Sequence, residues 1–290
     1  MKSFLKRHGV ALLVALAAGP AAAQFMLLGD HRVFVQYAGP GLPNTVEFAP
    51  SFKEVTVGNS YALGDLSSGI LKASSFWPGT VSIAISQVAN AGAQFRFQNM
   101  GLGDISFAAG ALGMDVKATF TQILGPGAVG VWDQTLNAVI QGSGPSFASS
   151  ASVAYQYTGR GGPTDFFAVT TKDSPGSSSV IHTGTTSALD ATLSFAAFTL
   201  KPGEIASFTT QLTTSAWGSQ LGWGAFTDAT HTAQLSLRLP AGVTLDSPLP
   251  LTWVTSVPEP STGVILLAGL AGLAMRQRWR SGKGGSLSVN

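Results

Sequence analysis

Side chains that could act as nucleophiles or metal ligands are sparse in this 290-residue chain, which contains no cysteine. A serine nucleophile needs a tight turn that exposes its hydroxyl, and the G-x-S-x-G pattern of such a turn is absent. Three histidines follow the first 23 residues, His31, His182 and His231, and none has a second histidine at metal-ligand spacing. The sequence therefore predicts no metal site and no cofactor.

Two weaker catalytic arrangements remain. Asp228 and His231 lie close together beside Trp223, but a strand–loop–strand stretch more often uses such residues in turns. A glycoside hydrolase needs two carboxylates that meet only in the folded chain, so no sequence pattern excludes that activity. The acidic residues are scattered singly and no pair is favoured. We expect a protein that is not an enzyme, with a glycan hydrolase as the weakest alternative.

Aromatic side chains are a second kind of candidate, because their flat rings can pack on sugars as well as fill a protein core. Five tryptophans lie between residues 24 and 254: Trp77, Trp132, Trp217, Trp223 and Trp253. Trp217 and Trp223 belong to a glycine-rich stretch that we interpret as a loop, and we predict both as glycan contacts. The alternative for each tryptophan is a place in the core.

Charge excludes nucleic acid as a partner. Residues 24–257 carry nine basic and 13 acidic side chains, although the whole chain has a formal net charge of +2. Phosphate binding needs clustered Lys and Arg, and nine basic residues spread along this length form no cluster. Low charge with abundant Gly, Ser, Thr and Ala favours many short strands joined by turns.

Alternation of apolar and polar residues with period two is the dominant pattern. Nine of the eleven positions from Met114 to Leu124 fit a strand with one buried face, and Ala233 to Leu239 alternates without exception. Between Leu193 and Leu200 the apolar set moves from odd to even positions, which predicts a β-bulge. A Lys-Pro-Gly-Glu turn follows, and we expect the segments on its two sides to pair antiparallel.

Turn signals at short intervals separate these strands and favour an all-β fold. We predict a single jelly-roll-like β-sandwich over residues 24–254. The alternative is two smaller sandwiches that meet near Gln141 to Ser150, where Gly142, Gly144 and Pro145 interrupt the alternation.

The N-terminus predicts a removable signal peptide over residues 1–23. Three basic residues (Lys2, Lys6, Arg7) precede an apolar core, Val10 to Ala18, and small side chains follow at Ala21 and Ala23. We therefore expect export through the Sec translocon and cleavage by signal peptidase before Gln24. Nine apolar residues span only about 14 Å as a helix, too little to cross a bilayer.

The C-terminus combines three features within residues 255–290. A Val257-Pro258-Glu259-Pro260 motif precedes an apolar run over residues 263–275 and a basic cluster over residues 276–280 that contains Arg276, Arg278 and Arg280. The apolar run predicts a short transmembrane helix of about 20 Å, and the arginines would keep the tail on the cytoplasmic side.

This arrangement resembles the PEP-CTERM sorting domain, in which a Val-Pro-Glu-Pro motif precedes a short hydrophobic helix and a basic cluster. The resemblance implies transient insertion in the inner membrane and cleavage near the motif by exosortase, a membrane-embedded protease. One departure is the extra tail, Ser281 to Asn290, and the alternative is an anchor that is never cut.

The resemblance also implies where the protein acts. We expect an exported, exosortase-sorted protein of the cell surface or extracellular matrix with a structural or adhesive role. The alternative is a β-sandwich module that binds carbohydrate, in particular exopolysaccharide.

Overall fold

The computed structural model describes residues 23–39, 41–79, 86–124, 130–161, 166–172, 178–183, 186–218 and 223–256. These ranges contain β-strands and no α-helix, so the all-β prediction is confirmed. The strands are β1 (Ala23–Leu27), β2 (Arg32–Gly39), β3 (Leu42–Ala49), β4 (Phe52–Val57), β5 (Ser60–Asp65), β6 (Ile70–Trp77), β7 (Gln87–Asn99), β8 (Ile105–Phe107), β9 (Leu112–Leu124), β10 (Gly130–Gly144), β11 (Phe147–Gly161), β12 (Phe166–Lys172), β13 (Ser178–Thr183), β14 (Thr186–Ser194), β15 (Phe198–Leu200), β16 (Ile205–Gly218), β17 (Trp223–Leu239), β18 (Val243–Asp246) and β19 (Val254–Ser256).

Most of these strands form two sheets that pack face to face. Sheet A has the order β12-β11-β10-β16-β7-β1-β18, with β2 paired to β7 and β3 to β2. Sheet B has the order β13-β14-β9-β17-β6-β5-β4, with β19 paired to β17. Strands β8 and β15 form a separate pair. The two sheets share one buried apolar core, which confirms the predicted sandwich.

Period-two alternation places the core side chains as the sequence predicted. In β17 the apolar residues Ala233, Leu235, Leu237 and Leu239 are all buried, and Ser236 and Arg238 between them are exposed. In β9 the residues Met114, Val116 and Phe120 are fully buried. A strand with one apolar face folds in this way because successive side chains point to opposite faces of a sheet.

Residues 193–200 differ from the prediction. β14 ends at Ser194, three residues without strand structure follow, and β15 begins at Phe198. β15 pairs with β8, and β16 pairs with β10 and β7. The predicted β-bulge and the predicted pairing across the turn are therefore wrong. The shift of the apolar set instead marks the point where the chain leaves sheet B, with Phe195 and Phe198 both buried.

Residues 141–150 form a hairpin in sheet A. β10 and β11 pair antiparallel from Gly130 opposite Gly161 to Gly144 opposite Phe147, and Pro145 and Ser146 make the turn. The glycines and the proline that interrupt the alternation therefore lie at a hairpin tip.

One half of the interior, which we call the phenylalanine half, is built from eight phenylalanine rings. They are Phe25, Phe95, Phe97, Phe107, Phe147, Phe195, Phe198 and Phe208. Stacked rings occur at Phe107–Phe198, with centroids 4.5 Å apart, and at Phe95–Phe208, with centroids 5.6 Å apart. Burial of these rings removes a large apolar area from water, which is the main stabilising contribution of this half.

Trp253 closes the phenylalanine half. Its ring lies 5.5 Å from Phe95, and its Nε1 donates to Leu66 O at 2.7 Å. A Cβ at Gly69 would lie 2.6 Å from the Trp253 ring, and the φ of Gly69 is +70°. Both observations require glycine at this turn.

The other half of the interior, which we call the polar half, contains hydrogen-bonded side chains between the sheets. Gln134 Nε2 donates to Thr121 O at 3.2 Å, Ser75 Oγ to Thr214 O at 3.0 Å and Thr227 Oγ1 to Ser215 O at 2.7 Å, and the Tyr155 and Ser187 hydroxyls bond each other. Each bond joins a strand of sheet A to a strand of sheet B. The sheets are therefore held together here by directional contacts as well as by burial.

Some polar atoms of this half have no hydrogen-bond partner among the described residues. They are Trp77 Nε1, both amide atoms of Gln122 and Gln134 Oε1. Trp77 and Gln122 flank Ala225 in sheet B. Unpaired buried polar groups are costly, so this layer contributes less stability than its burial suggests.

Candidate functional site

The outer face of sheet A carries the most unusual set of exposed side chains in the described structure. Register aligns Thr209, Gln94 and Arg32 in one row across β16, β7 and β2, and Gln211, Gly92, Phe34 and Phe48 in the next row, which extends to β3. Ser207 and Arg96 form the row next to Thr209 and Gln94, and Gln36 and Asn90 form the row next to Phe34 and Gly92. Amides, hydroxyls, two arginines and two phenylalanines therefore share one surface.

An aromatic pair forms the apolar part of this face. Phe48 is 53% exposed, and its ring centroid lies 6.2 Å from that of Phe34. The Phe34 ring lies across Gly92, where a Cβ would be 2.2 Å from Phe34 Cζ. The Arg32 guanidinium lies 4.7 Å from the Phe48 centroid, a cation–π contact. A large aromatic ring exposed at this level on a sheet face contributes little to the core and is available for contacts.

Arg32 also borders a cleft of about 470 Å³. Arg32 Nε donates to Gln94 Oε1 at 2.7 Å, which fixes the guanidinium beside the amide. Arg96 forms an ion pair with Asp30 at the cleft wall, while Arg96 Nε has no hydrogen-bond partner among the described residues. Ser207 and Thr209 supply hydroxyls from β16. The cleft thus combines two cationic groups, one carboxylate and several neutral hydrogen-bonding groups.

Amide side chains continue the face toward β3. Asn90 Nδ2 donates to Gln36 Oε1 at 3.1 Å, and Gln36 Nε2 donates to Asn44 Oδ1 at 2.7 Å. Asn90 is only 3% exposed, and its Oδ1 has no partner among the described residues. The amides therefore hold one another in place.

One predicted glycan contact, Trp217, lies on the outer face of sheet A, but six residues along β16 from Gln211, which corresponds to about 20 Å. Trp217 is the penultimate residue of β16, is half-buried and lies opposite Asp133 of β10. Trp223 begins β17, and its side chain lies outside the described residues. Both tryptophans therefore belong to strand ends rather than to a loop. Three other tryptophans, Trp77, Trp132 and Trp253, are core residues.

The candidate acid Asp228 stabilises the local backbone. Asp228 Oδ1 accepts from Thr230 N at 2.8 Å and from Thr230 Oγ1 at 2.6 Å, beside a register shift in β17. The side chain of His231 lies outside the described residues. Within the described ranges no group of three His, Asp or Glu side chains is arranged to hold a metal ion.

Both predicted processing sites lie where the described chain begins and ends. Ala23 is the first residue of β1, and Gln24 pairs with Thr244 of β18. β19 ends at Ser256, which is exposed, and the Val257–Pro260 motif begins at the next residue. Ala21, the motif, the apolar run 263–275 and the arginines 276, 278 and 280 lie outside the described residues. No helix in the described ranges is long and apolar enough to cross a bilayer.

Comparison with known families gives a match at the C-terminal end of the sequence. Residues 256–280 match the PEP-CTERM protein-sorting motif. The chain carries a PEP-CTERM sorting domain. The matched range begins at the exposed end of β19 and contains the Val257–Pro260 motif, the apolar run and the three arginines. No curated protein matches the chain at a significant level.

The PEP-CTERM domain defines the route of the protein. It marks an exported protein that passes through a membrane-anchored stage, with exosortase as its processing partner. The signal peptide and its processing by the Sec translocon and signal peptidase stay predictions. The roles of the individual residues of the Val257–Pro260 motif also stay predictions.

Sequence reasoning missed the outer face of sheet A. Arg32, Phe34 and Gln36 alternate with Val33 and Val35, which are fully buried. That alternation places Phe34 on the polar side of the strand, a signal that could have indicated an exposed aromatic group. Phe48 is added only by the β2–β3 register, which the sequence does not reveal.

Proposed function

We propose that the protein is a structural or adhesive component of the cell surface or extracellular matrix, delivered there by exosortase. The PEP-CTERM match at residues 256–280 carries the sorting part of this proposal, because the motif defines a route of delivery. A signal peptide over residues 1–23 would start the route through the Sec translocon. Export would expose the β-sandwich outside the inner membrane.

The geometry of the β-sandwich, which we call the body, supports a delivery route of this kind. Ser256, which directly precedes the motif, is exposed at the end of β19, so cleavage after this residue would leave the pairs of β19 with β17 in place. At the N-terminal end, cleavage before Gln24 would leave the strand pairs of β1 from Gln24 to Leu27 in place. Processing at both ends would therefore leave a folded body.

Carbohydrate binding is the second candidate function. The outer face of sheet A favours it, because Phe48 is exposed beside amides, hydroxyls and arginines. Sugars are bound by this combination of side chains, since their C–H faces pack on aromatic rings and their hydroxyls both donate and accept. Such binding would retain the body in an exopolysaccharide matrix.

Replacement of Pro258, Glu259 and Pro260 by Ala tests the proposed route. We expect the variant to accumulate in the inner membrane, because exosortase would no longer recognise the segment while the basic cluster still stops translocation. Fractionation into inner membrane, cell surface and matrix, followed by immunoblotting against the body, measures the distribution.

A matched control is available within the body. Pro248 and Pro250 form a second Pro-x-Pro sequence, and both residues are exposed. Their double replacement by Ala should leave the protein in the surface and matrix fractions. Release of the Pro258/Glu259/Pro260 variant in the same amount as the control would refute sorting through this motif.

A further inference from the structure

We propose that the outer face of sheet A binds an acidic polysaccharide, with sugar rings packed on Phe48 and sugar carboxylates paired with Arg32 and Arg96. This inference deepens the carbohydrate-binding candidate and names both its site and its ligand class. It therefore rests on the proposed function, and it requires the body to meet a polymer outside the inner membrane.

The aromatic pair provides the first part of the site. Phe48 is 53% exposed on the same surface as Phe34, and Gly92 leaves the space in which the Phe34 ring lies. Phe34 is thus fixed by close contact with the backbone of β7, and Phe48 packs beside it. A preformed aromatic surface loses little conformational entropy when a ligand packs on it.

Charge selects the acidic ligand over a neutral one. Arg32 takes part in no ion pair among the described residues, and its guanidinium is held by Gln94 and Phe48. Arg96 is paired with Asp30, and its side chain is 44% exposed. Residues 24–257 as a whole carry more acidic than basic groups. Two arginines against one carboxylate therefore make this face locally cationic, and guanidinium groups match carboxylates in geometry.

The amides extend the site along β7. Asn90 and Arg96 are six residues apart on this strand, which corresponds to about 20 Å. Gln94 and Phe34 lie between them on the same face. A row of this length suits several consecutive sugar units better than one small molecule.

A second copy of the chain is a less suitable occupant. β3 is an edge strand that pairs only with β2 among the described strands, so its free edge is the place where another strand would add. Pro43 lies on that strand, and Lys53 Nζ forms an ion pair with Glu47 at 2.5 Å. Proline and charge both disfavour strand addition at an edge. The side-chain face, which carries the arginines, is therefore the binding surface.

Binding to alginate, a polymer of uronic acids, tests the inference, with dextran as the neutral polymer. The full protein is purified from whichever cell fraction contains it and examined by affinity electrophoresis in gels that hold either polymer. We expect retardation by alginate only, weakened by salt because the charged contacts are exposed.

Matched variants locate the site. F48A and the pair R32Q/R96Q should each weaken alginate binding about tenfold or more, which corresponds to about 1.4 kcal/mol. The controls are F52A, since Phe52 is 51% exposed on β4, and R238Q on the outer face of sheet B. Both controls should bind as the wild type does. Circular dichroism of all variants identifies any that fail to fold, and R32K then serves as a milder replacement at the same position.

Three results would overturn the inference: equal retardation by alginate and dextran, no retardation by either, or equal effects of the site variants and their controls. Concentration-dependent self-association lost in F48A would assign the face to a second copy instead. None of these results alters the fractionation of the Pro258/Glu259/Pro260 variant, so failure of this site and failure of the sorting proposal are distinguishable.

Discussion

The two halves of the sandwich interior solve the same packing problem with different chemistry. In the phenylalanine half, rings of sheet A such as Phe95 and Phe208 pack on Trp253 and Phe195, which lie beside strands of sheet B, and these contacts need only shape and burial. The polar half joins them through hydrogen bonds such as Ser75–Thr214 and Gln134–Thr121, which need direction as well. Both halves bury aromatic rings, but only the polar half also buries side-chain atoms of Trp77, Gln122 and Gln134 that lack partners among the described residues. The first half should therefore contribute more to stability, and the second should set the alignment of the sheets.

The largest expected effect comes from F208A in the phenylalanine half. Phe208 is 3% exposed and contacts five other phenylalanine rings, so truncation removes a buried side chain and leaves a cavity. We expect the free energy of unfolding to fall by about 3–5 kcal/mol, measured by urea denaturation. The exposed control F52A should change it by less than about 0.5 kcal/mol. Similar losses in the two variants would contradict the stabilising role of the buried rings.

A smaller effect follows from pH, because the polar half contains two buried tyrosines. Burial, with the nearby Tyr155 as a second cause, raises the pKa of Tyr157 to about 12. Burial also raises the pKa of Tyr155. Since an unfolded tyrosine titrates near pH 10, the folded state keeps its proton to higher pH. This contribution is fully present below about pH 10 and is lost as the pH rises to about 12.

Y157F should therefore flatten the alkaline loss of stability. We expect the free energy of unfolding to fall on the order of 2 kcal/mol less than in the wild type across this pH window, measured by urea denaturation at several pH values. F208A should lower stability by the same amount throughout the window. An unchanged alkaline slope in Y157F would show that Tyr157 titrates alike in both states.

The smallest effect is expected at Gln122. Both amide atoms lack a partner among the described residues, so an apolar side chain of similar length removes a desolvation cost without removing a hydrogen bond. Q122M should be neutral or stabilising by about 1 kcal/mol in thermal denaturation. Q134M is the matched control, because it loses the bond to Thr121 O and should cost about 1 kcal/mol. A greater loss of stability in Q122M than in Q134M would contradict the interpretation that the Gln122 amide lacks hydrogen-bond partners.

Local patterns predicted the phenylalanine half better than the polar half. In β9 the two positions that break the alternation are Gln122 and Ile123, and the structure buries the first and leaves the second 53% exposed. Period-two geometry thus overrides residue type, since the strand continues through both positions. The sequence shows the mismatch, but only the opposite sheet shows that Gln122 faces an interior with other polar groups.

Long-range pairing was the part that the sequence could not provide. The turn at Pro202 and Gly203 was predicted correctly, yet the segments on its two sides pair with different strands. Partner choice depends on contacts across the whole sandwich, such as β16 with β10 and β7, and not on the turn itself. The PEP-CTERM motif was recognisable because it is a continuous stretch whose reading needs no tertiary contact.

The mass of the protein outside the cell tests the central claim most directly, since sorting by exosortase requires cleavage near the motif. Intact-mass spectrometry of surface or matrix material should show a species that starts at Gln24 and ends between Val257 and Pro260. The β-sandwich would then be the whole of the delivered protein. An extracellular species that still contains residues 263–275 would contradict the account.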